Sequence, residues 1–223
     1  MSLLFLGKEG DPYSADAALT ATQLFDDVVV CNTGKDMPLS QEALDWSGDW
    51  IVSYLCQIVV PESLLVKAAK GAINFHPGPP EYPGIGCTNF AVYNEETEFG
   101  VTCHHMAPKV DTGAVISVKR FPLLPCDSVL SLTKRCYAHM IELYNDVIVR
   151  MHRGEPLPVS DEVWRRKPYT RRELHEMYRI ELDMDEAEIA KRIRAATYPD
   201  MPGPYVVIQG KRFILEGSKP VPE

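Results

Sequence analysis

The chain has 223 residues, 45% hydrophobic and 24% charged, with a formal net charge of −8. That length suits one domain of roughly 150–200 residues plus a small appendage, and the acidic balance disfavours a broad nucleic-acid surface. No apolar run approaches the ~18 residues that cross a bilayer, and the apolar start lacks a basic leader, so a cytoplasmic protein with no membrane partner is expected.

The first half alternates between strand and helix patterns. Residues 3–8 read as a strand, and Ser14 as the cap of a helix running to Phe25, with Ala17, Ala18, Ala21, Leu24 and Phe25 on one stripe. Residues 27–31 form a β-branched run, Ser40 opens a short helix, and residues 50–55 give the next strand. Pro61 favours a first helical turn, Gly71 is expected to stop that helix, and residues 72–75 follow as a strand. Strands separated by helices imply right-handed crossovers, a parallel sheet, and a ligand site beyond the carboxyl ends of the strands. No GxGxxG follows the first strand, so a dinucleotide site is not supported.

Residues 100–106 and 114–121 read as two further strands. Asp127 or Ser128 then caps a long helix, in which apolar residues from Val129 to Met151 recur at three- and four-residue steps before Gly154 ends it. Beyond the prolines at 156 and 158, Thr170 with Glu173 and Asp183 with Glu186 look like capping boxes of two short helices. Residues 205–208 and 211–215 read as a hairpin turning at Gln209-Gly210, and residues 216–223 as a loose tail. The expected organisation is a core at 1–155 and a C-terminal extension at 156–223 with short helices and a β-hairpin.

The six cysteines form no CxxC pair and fit neither a zinc site nor a disulfide framework, so reduced thiols and no metal are expected.

Two segments carry the chemistry: Ile73-Asn74-Phe75-His76-Pro77-Gly78-Pro79-Pro80-Glu81-Tyr82-Pro83-Gly84, and Gly100-Val101-Thr102-Cys103-His104-His105-Met106 continuing to Asp111-Thr112-Gly113. Alternate strand residues share a face, so Asn74 and His76 project together at a strand end. The prolines and glycines that follow forbid helix. An Asn amide beside an imidazole can donate to one developing oxyanion, and Asp111 can fix the imidazole tautomer. The same residue types can equally satisfy backbone groups near a Pro-rich loop, and residue types alone leave both readings open.

Together these segments resemble the formyltransferases that use 10-formyltetrahydrofolate, which act on methionyl-tRNA, glycinamide ribonucleotide or nucleotide-linked amino sugars. The likeness runs from about residue 50 to 121, and Gly100 to His104 fits the family's Gly-Val-Thr-x-His. It implies a Rossmann-like α/β fold with a mostly parallel sheet, and a catalytic triad of Asn74, His76 and Asp111. The family's Ser-Leu-Leu-Pro is replaced by Gly78-Pro79-Pro80-Glu81, with one residue fewer before Tyr82, so individual roles do not transfer within residues 77–86.

The resemblance further implies that folate is held by Ile58, Val59 and Val60 and by the stretch from Ala107 through Lys109 and Val110 to Asp111. Too little chain follows the long helix for the tRNA enzyme's extra domain. The tail around Arg192-Ile193-Arg194, Tyr198-Pro199 and Pro202-Gly203-Pro204-Tyr205 resembles that of the nucleotide-sugar enzymes, which serve lipopolysaccharide O-antigen synthesis. Lys8, Tyr82, Asn89, His104, Arg194 and Tyr198 are the acceptor-contact candidates, and His105 reads as packing. The expected co-substrate is 10-formyltetrahydrofolate, the expected partner a nucleotide-linked amino sugar, and the expected assembly a homodimer. A methionyl-tRNA-type or other amine formyltransferase is the alternative within the family. A non-catalytic folate or nucleotide-sugar binder is the alternative outside it, though a binder needs no Asn-His-Asp arrangement.

Overall fold

The computed structural model describes residues 1–34 and 37–218. Strands β1 (Ser2–Lys8), β2 (Asp27–Thr33), β3 (Gly48–Tyr54) and β4 (Ala68–His76) alternate with α1 (Pro12–Leu24), α2 (Gln41–Asp45) and α3 (Glu62–Leu65). Then come α4 (Cys87–Tyr93), β5 (Glu98–His105), β6 (Val115–Pro122) and α5 (Val129–His152). The six-stranded sheet runs β2-β1-β3-β4-β5-β6. Its first four strands are mutually parallel, and β5 and β6 are antiparallel. The fold is therefore α/β with a mostly parallel sheet.

Both sheet faces are covered, which explains the unbroken apolar run of β1. Leu3 and Phe5 join the larger hydrophobic cluster with α1 and α5, whereas Leu4 and Leu6 join the smaller one with α2 and α3. Each such fully buried side chain contributes about 1.5–3 kcal/mol. On the larger face, Tyr144 of α5 meets Phe75 edge-on at 5.2 Å and donates its hydroxyl to the Ala17 carbonyl at 2.7 Å. Helix α5 starts as its sequence suggests: Ser128 caps it in a reciprocal capping box with Ser131.

The remaining chain forms α6 (Arg171–Tyr178), β7 (Arg179–Ile180), α7 (Glu186–Ala196), β8 (Tyr205–Ile208) and β9 (Lys211–Ile214), with a second sheet ordered β7-β8-β9. Met177, Tyr178, Ala195 and Ala196 belong to the larger hydrophobic cluster, so these helices are packed onto the core.

Several local expectations are corrected. Asp11, not Ser14, caps α1, with Pro12 in the first turn; Ser14 lies inside the helix, where its hydroxyl accepts the Lys8 N–H. Helix α3 ends at Leu65 rather than near Gly71, because β4 already pairs with β3 from Ala68. Gly71 sits inside β4 with φ +137°, where a Cβ would meet the Trp50 ring at 3.2 Å. Asp185 and Glu188 repeat the capping pattern two residues after Asp183 and Glu186, and Asp185 is the cap used. Asp183 is taken up in a turn closed by the Met184 N–H on the Glu181 carbonyl. Helix α4 has no sequence signature, since its N-cap Gly86 offers no side-chain acceptor and it contains β-branched and aromatic residues. Of the expected loose tail, residues 216–218 are turned back by the Ser218 N–H on the Leu215 carbonyl, and residues 219–223 lie outside the described residues.

Candidate active site

Strand β4 ends at His76, in the middle of the sheet where the neighbour on one side is parallel and on the other antiparallel. Asn74 and His76 share a face by the two-residue strand period, and Asn74 stands opposite His104 on β5. The segment between β5 and β6 returns Asp111 to the same place. His76 Nδ1 lies 3.3 Å from Asp111 Oδ2, His104 Nε2 lies 3.3 Å from Asp111 Oδ1, and Asn74 Nδ2 lies 3.1 Å from His104 Nε2. Histidines from two strands thus meet one carboxylate, and Asn74 joins them through His104.

The backbone around them admits few substitutes. Asp111 has φ +46°, a left-handed conformation that Asp tolerates better than most residues. Its Oδ2 accepts the Gly84 N–H at 2.7 Å, and Gly84 itself has φ +87°. Gly113 passes so close to β5 that a Cβ would lie 1.8 Å from the His105 carbonyl oxygen. Gly78 is similarly constrained, since its Cβ would meet His76 Nε2 at 2.7 Å.

Burial pushes the Asp111 carboxyl upward. The neighbouring His76, the hydrogen bond with His104 and the Gly84 N–H together outweigh burial and hold it down at about 2. The carboxylate is therefore ionised at any physiological pH, although only 6% exposed. His76 Nε2 lies 2.8 Å from the Tyr82 carbonyl. Each His76 nitrogen thus faces an oxygen that can only accept, and a ring protonated at both positions donates to each. His104 Nδ1 donates to the His105 carbonyl at 2.7 Å, so its Nε2 can donate to Asp111 or accept from Asn74, but not both.

A cleft of about 560 Å³ opens beside this cluster. Ile58, Val59, Val60, Ala107, Lys109 and Val110 all line it, together with Asn74, His76, His104 and Asp111. Aliphatic and polar side chains both line it, as a flat heteroaromatic ligand with polar edges requires.

Five acceptor-contact candidates stand elsewhere, and none lines the cleft. Lys8 pairs with Asp11 at 3.3 Å. The Tyr82 hydroxyl bonds Glu96 at 2.5 Å while its carbonyl faces His76. The Asn89 amide donates to the Ala195 carbonyl at 2.8 Å and ties α4 to α7. Arg194 donates to the Pro125 and Asp127 carbonyls just before α5, and Tyr198 packs against the main core. Conversely, Met201 of the extension reaches the cleft and Trp164 reaches the histidines without any periodicity or motif to announce them, and Arg171, first residue of the capped helix α6, also lines the cleft. A lone Trp in an irregular, charged stretch was the only available hint.

No group of His, Cys, Asp and Glu suited to a metal ion occurs among the described residues, and none of their helices is long and apolar enough to cross a membrane.

The model of the formyl transferase family matches residues 20–148. A GDP-perosamine N-formyltransferase of Brucella melitensis biotype 1 is 30% identical over 168 residues, covering 75% of this chain and 64% of that protein. The match thus spans less than two thirds of the curated relative. The fold is similar to that of a 4-N formyltransferase from Francisella tularensis, with a TM-score of 0.78 at 17% identity over 100% of this chain and 98% of that one. It is also similar to an N-formyltransferase from Helicobacter canadensis solved with folinic acid and dTDP-3-aminofucose, with a TM-score of 0.69 at 20% identity over 87% of this chain and 80% of that one.

Proposed function

The chain belongs to the formyl transferase family, and on that premise we propose that it moves a formyl group from 10-formyltetrahydrofolate to the amine of a nucleotide-linked amino sugar. The observation that carries this reading is the convergence of Asn74, His76 and Asp111 at a cleft lined by both aliphatic and polar side chains. The substrates named for the Brucella and Helicobacter relatives support the choice of acceptor.

In this reading the uncharged sugar amine attacks the formyl carbon, and the carbonyl oxygen becomes an oxyanion. Asn74 donates an amide N–H to that oxygen, and the His76 ring supplies adjacent positive charge, with its Nε2–H exchanging the Tyr82 carbonyl for the oxyanion. Asp111 holds the His76 ring by Nδ1 and balances its charge. Collapse of the intermediate breaks the bond between the formyl carbon and folate nitrogen; that nitrogen takes either the Nε2 proton of the cationic His76, which the amine's surplus proton then replaces, or the amine's proton through a water. Ile58, Val59, Val60, Ala107 and Val110 would hold the folate rings. Lys109 and Arg171, which have no ion pair or hydrogen bond of their own through their side chains among the described residues, would meet its carboxylates or the sugar's phosphates. The exposed Ile208, Phe213 and Leu215 at the terminal hairpin support a homodimer paired through that hairpin.

The test is incubation with 10-formyltetrahydrofolate and a panel of GDP-, dTDP- and UDP-linked amino sugars, following tetrahydrofolate release by absorbance. Release that depends on one nucleotide series is expected. No release above the acceptor-free rate with any of them would overturn the proposal.

A further inference from the structure

Trp164 lies in the irregular stretch between α5 and α6, yet it touches both buried histidines. Its ring stands edge-on to His104 at 5.0 Å and 87°, and to His76 at 5.7 Å and 75°. Its indole N–H donates to the Gly113 carbonyl at 2.8 Å, two residues beyond the left-handed Asp111.

The residues after Trp164 run along the Pro-rich loop. The Arg165 N–H donates to the Pro80 carbonyl at 2.9 Å and the Tyr169 N–H to the Pro83 carbonyl at 2.8 Å; the Ile85 N–H donates back to the Tyr169 carbonyl at 3.2 Å. The Tyr169 ring stacks on Phe90 at 3.8 Å, and the Arg166 guanidinium lies 3.1 Å from its centroid. At the other end Glu162 and Glu81, one from the strap and one from the loop, share Arg120. Residues 162–169 therefore form a strap anchored on both sides of Trp164.

We propose that Trp164 is a positioning residue: through Gly113 it fixes the turn that presents Asp111, and its indole keeps water from the edges of His76 and His104. Water exclusion matters because charge–dipole interactions weaken steeply in a high-dielectric site. His76 and His104 are 4% and 2% exposed with the indole in place. The inference rests on the formyl-transfer reading for its kinetic consequence, but not for its structural one.

Two variants separate the parts. Trp164→Ala removes ring and donor, and Trp164→Phe keeps an aromatic edge without the N–H. In protein labelled with ¹⁵N-histidine, the ring N–H signals of His76 and His104 are expected to be visible in the wild type and Trp164→Phe, and lost to rapid exchange in Trp164→Ala. With substrates, turnover is expected to fall roughly 10- to 100-fold in Trp164→Ala and severalfold in Trp164→Phe, with KM for the folate within about twofold of wild type. Unchanged ring N–H signals in a folded Trp164→Ala protein would overturn the proposal, as would Trp164→Phe turnover within twofold of wild type. If Trp164→Ala does not fold, Trp164→Phe turnover alone decides. If the wild type transfers no formyl group, the functional reading fails while the exchange measurement still decides the role of Trp164.

Discussion

The Asp111 carboxylate sits 3.3 Å from His76 Nδ1, with each side chain 5% exposed. The two residues are far apart in sequence and meet because β4 ends where the left-handed turn after β5 begins. A buried carboxylate in that position is costly unless its partners persist, which gives the pair consequences for both turnover and stability.

Asp111→Asn keeps the shape and removes the charge. Turnover is expected to fall by roughly 10²–10⁴ with a smaller effect on KM, because the imidazole loses its charge partner rather than its substrate contact. Steady-state kinetics check this.

The depression of Asp111 from its ordinary 3.8 to about 2 also makes stability depend on acid. The folded carboxyl binds its proton more weakly than the unfolded one. Its contribution, on the order of 2 kcal/mol, is therefore complete above about pH 4 and lost as pH falls through 2. Urea unfolding across that window is expected to show a steeper acid loss in the wild type than in Asp111→Asn.

Gly113→Ala would drive a methyl group into the His105 carbonyl. Relief requires the strand and the turn that carries Asp111 to part, so destabilisation of about 1–3 kcal/mol or more is expected, with turnover lost beyond what the stability change explains. Thermal melts and kinetics on the same preparation separate the two effects.

Arg194, an acceptor-contact candidate in the sequence, donates to the carbonyls before α5 in the structure. Arg194→Ala is expected to lower Tm by a few degrees and leave KM for the nucleotide sugar within about twofold. Arg171→Ala, which removes a cation from the cleft rim, is expected to do the opposite: unchanged Tm, and KM for one of the anionic substrates raised roughly three- to tenfold and sensitive to salt. The substrate whose KM responds shows which anion Arg171 meets.

Much of this molecule was legible because two physical signals are local. The apolar runs of β1 and β3 and the three- and four-residue steps of α5 reflect burial of whole faces, and they are where expected. Asn74 and His76 are readable as a pair from strand period alone and Asp111 as a possible partner of the imidazole from its residue type, while the family resemblance implies the three as a triad. The acceptor candidates are less legible for a different reason. Asn89 and Arg194 are polar residues whose partners are backbone carbonyls distant in sequence, Asn89's 106 residues away, and nothing local distinguishes such a tie from a ligand contact. Trp164 and Met201 are not legible because irregular segments reach the site by tertiary packing, which leaves no period to read, and Arg171 opens a helix whose capping box is legible but whose position at the cleft is not.

The most decisive measurement is a crystal structure of the protein soaked with 5-formyltetrahydrofolate, a stable analogue of the formyl donor. The formyl group is expected within hydrogen-bond reach of Asn74 and His76, at about 3 Å, with the pterin between the 58–60 and 107–111 segments. A folate bound elsewhere on the chain, with the cleft beside Asp111 filled only by solvent, would contradict the assignment of these three side chains to formyl transfer.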